Sequence, residues 1–377
     1  MNIAFRDAKY FLLPLATMLG TIIGIGIFGL PYVAVKAGLP LMFLYFVVLG
    51  SLVGVVHLMF CELSLNTPDY KRLPGFCRIY LGEWARSLAV VSNIIGFFGI
   101  LVAFMIVGGE FLYEFAGPLF QGPAVLYNYA YFFAGAILIF FGINIVSRVG
   151  FLGLAMFFII FIALALKGMP FFELSNLTTH IGGAGDIFLP YGAVLFSLWA
   201  SSSIPEVEEM LGRKEKKYLL KPVVMTASII ALVTYVLFII MIVGITGEKT
   251  ATSALVGLKD AIGGSAASLF FLFGLIISFN SFIIVGLTLK KILSYDLRIE
   301  KHAAWGLVAI VPPILFMAGF KNFIDIFNLV GGVLLGIDGL LILMMYKKLK
   351  PDRALLIYPL AAIFIGGMAY EIIYYLL

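Results

Sequence analysis

The sequence predicts an all-α protein that crosses a membrane eleven times, and three observations carry that prediction. The 377 residues are 63% hydrophobic and 12% charged, with a mean hydropathy of +1.12. A soluble domain carries about 25% charged residues, so neither a water-facing globule nor a disordered chain fits. Apolar stretches near the ~20 residues that a bilayer core of about 30 Å demands recur along the whole chain. Lysines and arginines gather in every second interval between those stretches. The 40 glycines and 15 prolines lie scattered inside the apolar runs, as they do in transmembrane helices.

In order, the stretches are 10–34, 39–65, 84–112, 124–147, 149–167, 187–211, 219–246, 265–294, 303–319, 322–346 and 354–376. They leave short loops and one membrane domain, 1–377. The basic start of the chain resembles a signal peptide. It has no A-x-A site, and its apolar run continues to Tyr32, so it reads as an uncleaved first span. With the N-terminus inside, the cytoplasmic segments hold 20 of the 25 lysines and arginines and the outer segments hold 5. That asymmetry follows the positive-inside rule, places the C-terminus outside and points to the cytoplasmic (inner) membrane. Leaving out one span would invert every later loop and erase it.

The net charge of +5 is spread between apolar runs rather than over one face, so nucleic acid is not an expected partner. Cys61 and Cys77 fit no metal spacing and no disulfide framework. His57, His180 and His302 are dispersed, and neither H-E-x-x-H nor G-x-S-x-G occurs. No catalytic residue, metal or cofactor is therefore expected, and the chain does not read as an enzyme.

Two spans are poor helices. The first reads Gly20-Thr-Ile-Ile-Gly24-Ile-Gly26-Ile-Phe-Gly29-Leu-Pro31. Gly20-xxx-Gly24 alone would serve close helix packing. Adding Gly26, Gly29 and Pro31 favours an interruption, because glycine frees the backbone and proline removes a donor. The sixth reads Phe196-Ser-Leu-Trp199-Ala200-Ser201-Ser202-Ser203-Ile-Pro205-Glu206. Either it ends at Ser201, or residues 186–212 cross with a break at the centre; a rigid helix over 187–201 is too short to cross. Irregular backbone at membrane depth is tolerated where it lines a cavity. The two breaks lie five spans apart, an odd number, so a repeat of that period is inverted. Repeat one covers 10–168 and repeat two 187–347, with 354–376 as an extra helix. Broken helices at corresponding places in inverted halves point to a transport site at the midplane.

Here the residues resemble a known group. Gly24-Ile-Gly26-Ile-Phe28-Gly29-Leu-Pro31-Tyr32 is similar to the first-helix motif of amino-acid permeases. Leu73-Pro74-Gly75 through Arg78, Tyr80 and Gly82 is similar to their second-loop segment, and Phe196 through Pro205-Glu206 and Glu209 to their sixth helix. The resemblance is to the amino acid–polyamine–organocation superfamily with its LeuT-type fold, and within it to the hydroxy/aromatic amino-acid permeases and the amino-acid/auxin permeases. It implies eleven transmembrane helices, a 5+5 inverted repeat and discontinuous helices 1 and 6. One departure stands out. Where permeases often carry Gly-Phe-Glu in helix six, this chain has Ala200-Ser201-Ser202, without the acidic gating residue.

The residues and the resemblance together give a site for an α-amino acid. Amide N–H groups at Ile25, Gly26 and Ile27, at the positive end of a half-helix, suit its carboxylate. Carbonyls of Ile22, Ile23 and Ala200–Ser202 suit its ammonium group, and Trp199, Phe196, Tyr191, Phe97, Phe98 and Phe104 are candidates to enclose its side chain. The expected substrate-binding set is Ile23, Gly24, Ile25, Gly26, Ile27, Phe196, Trp199, Ala200, Ser201, Ser202 and Ser203. No acidic side chain is expected beside the breaks, which argues for a neutral, apolar or aromatic L-amino acid. For a coupling ion, the resemblance implies carbonyls of Gly20 and Ile23 with Ser278, Asn280 or Ser281, since hard cations take oxygen ligands. Residues 150–166 hold no lysine to replace that ion. Na+, H+ and uncoupled exchange stay open. Arg6 and Asp7 stand where the fold has its inner gate, with Asp338 as a partner for Arg6 or Lys9. His57 is a proton-relay candidate or a hydrogen-bonded packing histidine. Glu62 and Glu110 read as interfacial, and Glu206, Glu208 and Glu209 as facing basic loops. The expected function is secondary active transport, with an amino-acid sensor or germinant-receptor subunit of the same fold as the alternative. Oligomeric state is open.

Overall fold

The computed structural model describes residues 2–68, 71–141, 146–178, 187–212 and 214–376. The described chain is helical throughout. Helices α1 (Asn2–Ile22) and α2 (Gly26–Ala37) form the first, broken span. They are followed by α3 (Leu39–Leu65), α4 (Leu73–Leu81), α5 (Glu83–Phe120), α6 (Ala124–Phe141) and α7 (Val146–Gly168). The later half holds α8 (Leu189–Leu198), α9 (Ile204–Leu211), α10 (Leu220–Thr246), α11 (Ala254–Ile262), α12 (Gly264–Lys291), α13 (Lys301–Met317), α14 (Phe323–Leu329), α15 (Leu335–Leu349) and α16 (Ala354–Leu376). Among the described residues, eight helices are long and apolar enough to cross a membrane, and nine when the bent pair α1–α2 counts as one span. The expected spans over 187–211 and 303–319 fall on α8 with α9 and on the 17-residue α13, each shorter than a straight crossing.

The helix expected over 84–112 is longer, running to Phe120. The two acids near its far end are both held: Glu110 accepts from Ser253 Oγ at 2.5 Å and Glu114 pairs with Lys259 at 2.7 Å. The join expected between the fourth and fifth spans lies partly on 142–145, outside the described residues.

Packing sets the two breaks side by side. α1 lies against α10 and α7, α2 against α8 and α10, and α3 against α8, α10 and α15. α5 runs along α12 and α6. A π-helical turn over Val330–Leu334 joins α14 to α15 and packs on α8 and α16. The core is one continuous apolar cluster through these contacts. Large residues on the membrane-facing side, such as Val47, Ile95 and Ile159, remain exposed, as a bilayer solvent permits.

Candidate functional site

The first span bends by 50° between Ile22 and Gly26. At the bend Ile23 N–H still reaches Leu19 O, at 2.7 Å, while Gly24 N–H turns to Ile22 O at 2.9 Å. The leading amides of α2 then have no in-helix acceptor. Gly26 is needed here for close approach: a Cβ would lie 2.7 Å from Ser197 Oγ and 3.1 Å from Ser197 Cα. The second break is extended backbone at Trp199 (φ −78°, ψ 125°), passes through Ala200 in neither helical nor extended conformation (φ −145°, ψ 28°), and is followed by a tight turn over Ser201–Ser203. Pro205, in the first turn of α9, has no N–H to contribute to the turn before it.

Two buried side chains hold these breaks. Tyr235 Oη, from α10, lies 2.5 Å from Ile22 O and 2.9 Å from Ser197 O, bridging one break to the other. His57, from α3, accepts the Ala200 N–H on Nε2 at 3.3 Å and packs its ring against Trp199 at 5.6 Å. Accepting on Nε2 requires the ring proton on Nδ1, and Nδ1 has no partner. His57 is therefore a neutral acceptor at the second break. That satisfies the packing alternative and gives it a definite task.

A cavity of about 130 Å³ opens between the breaks. Gly24, Ile25, Gly26, Phe196, Trp199, Ser201 and Ser202 line it, as do Gly20 and Ser281 of the expected ion set. Ile27, Ala200 and Ser203 are buried behind its wall; Ser203 Oγ lies 2.8 Å from Ala200 O and 2.9 Å from Met18 Sδ. Phe97 and Phe104 face the cavity with Ile100 and Gly96, whereas Tyr191 turns to α16, its hydroxyl 3.4 Å from Phe364 O. Phe196 meets Phe327 edge-on at 4.7 Å, making that wall aromatic. Ser197 Oγ and Trp199 Nε1 are buried without a hydrogen-bond partner.

A second, smaller cavity gathers Gly20, Ile23, Asn280 and Ser281 with Leu154, Phe157 and Ile277. Ser278 is not among them, since its hydroxyl donates to Leu275 O at 3.1 Å. Ile23 thus belongs to this cavity and not to the larger one.

The side chains of Arg6, Asp7 and Lys9, expected at the inner gate, lie outside the described residues. Asp338 lines the main cavity and accepts from Asn93 Nδ2 at 3.2 Å, with Ser92 beside it. No described lysine or arginine pairs with it. On the cytoplasmic side by charge, Glu206 of α9 pairs with Arg72 at 2.7 Å, and buried Glu208 accepts from Ser64 Oγ and from Lys217 at 2.6 Å. Glu62 meets Lys221, Lys350 and the Tyr346 hydroxyl at 3.4, 3.6 and 3.2 Å.

Comparison with solved structures gives the class. The chain is similar to MhsT in complex with L-phenylalanine over 93% of its length and 98% of that chain, at 12% identity and TM-score 0.69. It is similar to Mhp1, a nucleobase-cation-symport-1 family transporter in a closed conformation with bromovinylhydantoin bound, over 97% and 90%, at 12% identity and TM-score 0.65. A manganese transporter from Eremococcus coleocola matches over 96% and 87%, at 14% identity and TM-score 0.67. No curated protein matches the chain in sequence. The fold is that of these transporters, and in this chain it brings the break between α1 and α2 and the break between α8 and α9 to one cavity. The family is narrower still: the tryptophan/tyrosine permease family matches residues 9–337, and the chain belongs to it.

Proposed function

We propose that the chain moves a neutral L-amino acid with an apolar or aromatic side chain across the cytoplasmic membrane, by alternating access and together with a cation. The observation that carries this reading is the joining of both breaks in one cavity walled by Phe97, Phe104, Phe196 and Trp199. The leading amides of α2 suit the carboxylate of an amino acid, and the aromatic wall suits its side chain. The family's description and the L-phenylalanine bound to MhsT agree with that chemistry.

A proton on Asp338 is the coupling cation. A carboxylate at membrane depth with no cationic partner among the described residues is costly as an anion, and it stands in the path itself. One observation favours a second reading, Na+: the smaller cavity groups Gly20, Ile23, Asn280 and Ser281, an uncharged set suited to that ion. In liposomes, a proton gradient should drive accumulation of L-tryptophan, L-tyrosine or L-phenylalanine. Asp338→Asn should abolish accumulation and leave exchange of labelled for unlabelled substrate. Accumulation driven by Na+ alone, and kept by Asp338→Asn, would transfer coupling to the smaller cavity. Ligand binding with no transport at all would make the chain a sensor.

A further inference from the structure

We propose that the Ser197 hydroxyl is a side-chain donor that, with the first amides of α2, holds the substrate's carboxylate. The inference rests on the amino-acid reading above.

Its first support is an unpaired hydroxyl. Most hydroxyls inside these apolar helices find an acceptor: Ser64 donates to Glu208, Ser92 to Leu334 O and Ser278 to Leu275 O, and several threonines donate to the carbonyl four residues back. Thr17 does so to Leu13, Thr234 to Ile230, Thr246 to Ile242 and Thr288 to Ile284, at 2.7–3.1 Å. Ser197, in the last turn of α8, does not. Its Oγ has no partner, and the residue is 2% exposed. A buried hydroxyl that forgoes the nearest acceptor is committed to something else.

The second support is where that hydroxyl points. It lies over the bare Cα of Gly26, 2.7 Å from the place a Cβ would take. Gly26 opens α2, a helix of 12 residues whose leading N–H groups lack in-helix acceptors and whose dipole favours an anion. Both residues line the main cavity. The Ser197 carbonyl is fixed in turn by Tyr235 Oη, which sets the rotation of this turn of α8.

The third support is what the cavity lacks. No lysine or arginine is among its described lining residues, and the nearby wall from α5 is Phe97, Ile100 and Phe104. A carboxylate has about four lone-pair sites. The amides of α2 fill some of them, and Ser197 Oγ is the side-chain donor poised at the same helix start.

The test compares ligands with and without a carboxylate. Wild-type protein in liposomes is first assayed for uptake of L-tryptophan, L-tyrosine and L-phenylalanine; uptake of none of them overturns the amino-acid reading itself. Given uptake, Ser197→Ala should raise KM about tenfold to hundredfold, the scale of a charge-assisted hydrogen bond. Vmax should stay within about twofold, as should inhibition by tryptamine, which has no carboxylate. Ser197→Cys, close in shape but a weak donor, should behave like Ser197→Ala. An unchanged KM, or a loss of tryptamine inhibition in step with KM, would overturn the assignment.

Discussion

At the scale of single residues, the site depends on who satisfies backbone groups freed by the two breaks. His57 illustrates the cost of leaving one unmet. Replacing it by leucine strands the Ala200 N–H in an apolar surround, a penalty of about 1–3 kcal/mol. His57→Leu should therefore raise KM about tenfold or more and lower thermal stability, while His57→Gln, which keeps an acceptor, should recover most of both. Uptake kinetics alongside thermal unfolding would check this; equal loss in the two variants would mean that ring packing on Trp199 matters more than the hydrogen bond. Gly24, Gly26, Trp199, Ser201 and Ser202 were legible in the sequence because a break is a local property of glycine, serine and proline. His57, Tyr235 and Ser197 were not legible in these roles. Their tasks depend on how a helix is rotated about its axis, and helices apolar all round leave no stripe from which to read that rotation.

At the scale of elements, α9 is held on two sides. Glu208 ties it to α3 and to the chain leading into α10, while Glu206 reaches Arg72 at the head of α4, which packs on α5 and α15. The two contacts tie α9 to different neighbours, so a motion between those neighbours would strain one of them. Arg72 and Glu206 are each about two-fifths exposed, so the pair is worth at most about 1 kcal/mol. Glu206→Gln should then change the ratio of efflux to uptake by no more than about fivefold. The exchanged pair Arg72→Glu with Glu206→Arg should restore the wild-type ratio; failure to restore it, with protein normally inserted, would show that the pair does not latch. The sequence offered Arg6, Asp7 and Asp338 for a gate, of which the side chains of Arg6 and Asp7 lie outside the described residues. The observed partners are 134 residues apart, and only tertiary packing brings them together.

The whole molecule is a test of charge asymmetry. Its orientation rests on the distribution of 25 lysines and arginines, and its two cysteines are fully buried and so silent to reagents in water. In intact cells, Ser175→Cys should be labelled by an impermeant maleimide, and Lys348→Cys only after the membrane is opened. The reverse pattern would invert the topology and with it the sense of every gate. The helical, membrane-spanning character of the chain was legible because hydropathy is a sum over many residues and survives local errors. The partners of the two acids near the far end of the third span were not, since Ser253 and Lys259 arrive from more than a hundred residues away.

The Tyr235 phenol sits between carbonyls from the two halves of the chain, Ile22 and Ser197, yet it owns a single hydrogen atom. Ile22 O also accepts the Gly24 N–H at 2.9 Å, so the one phenol hydrogen can go to Ser197 O with both carbonyls served, and a single side chain from α10 pins the two breaks to each other.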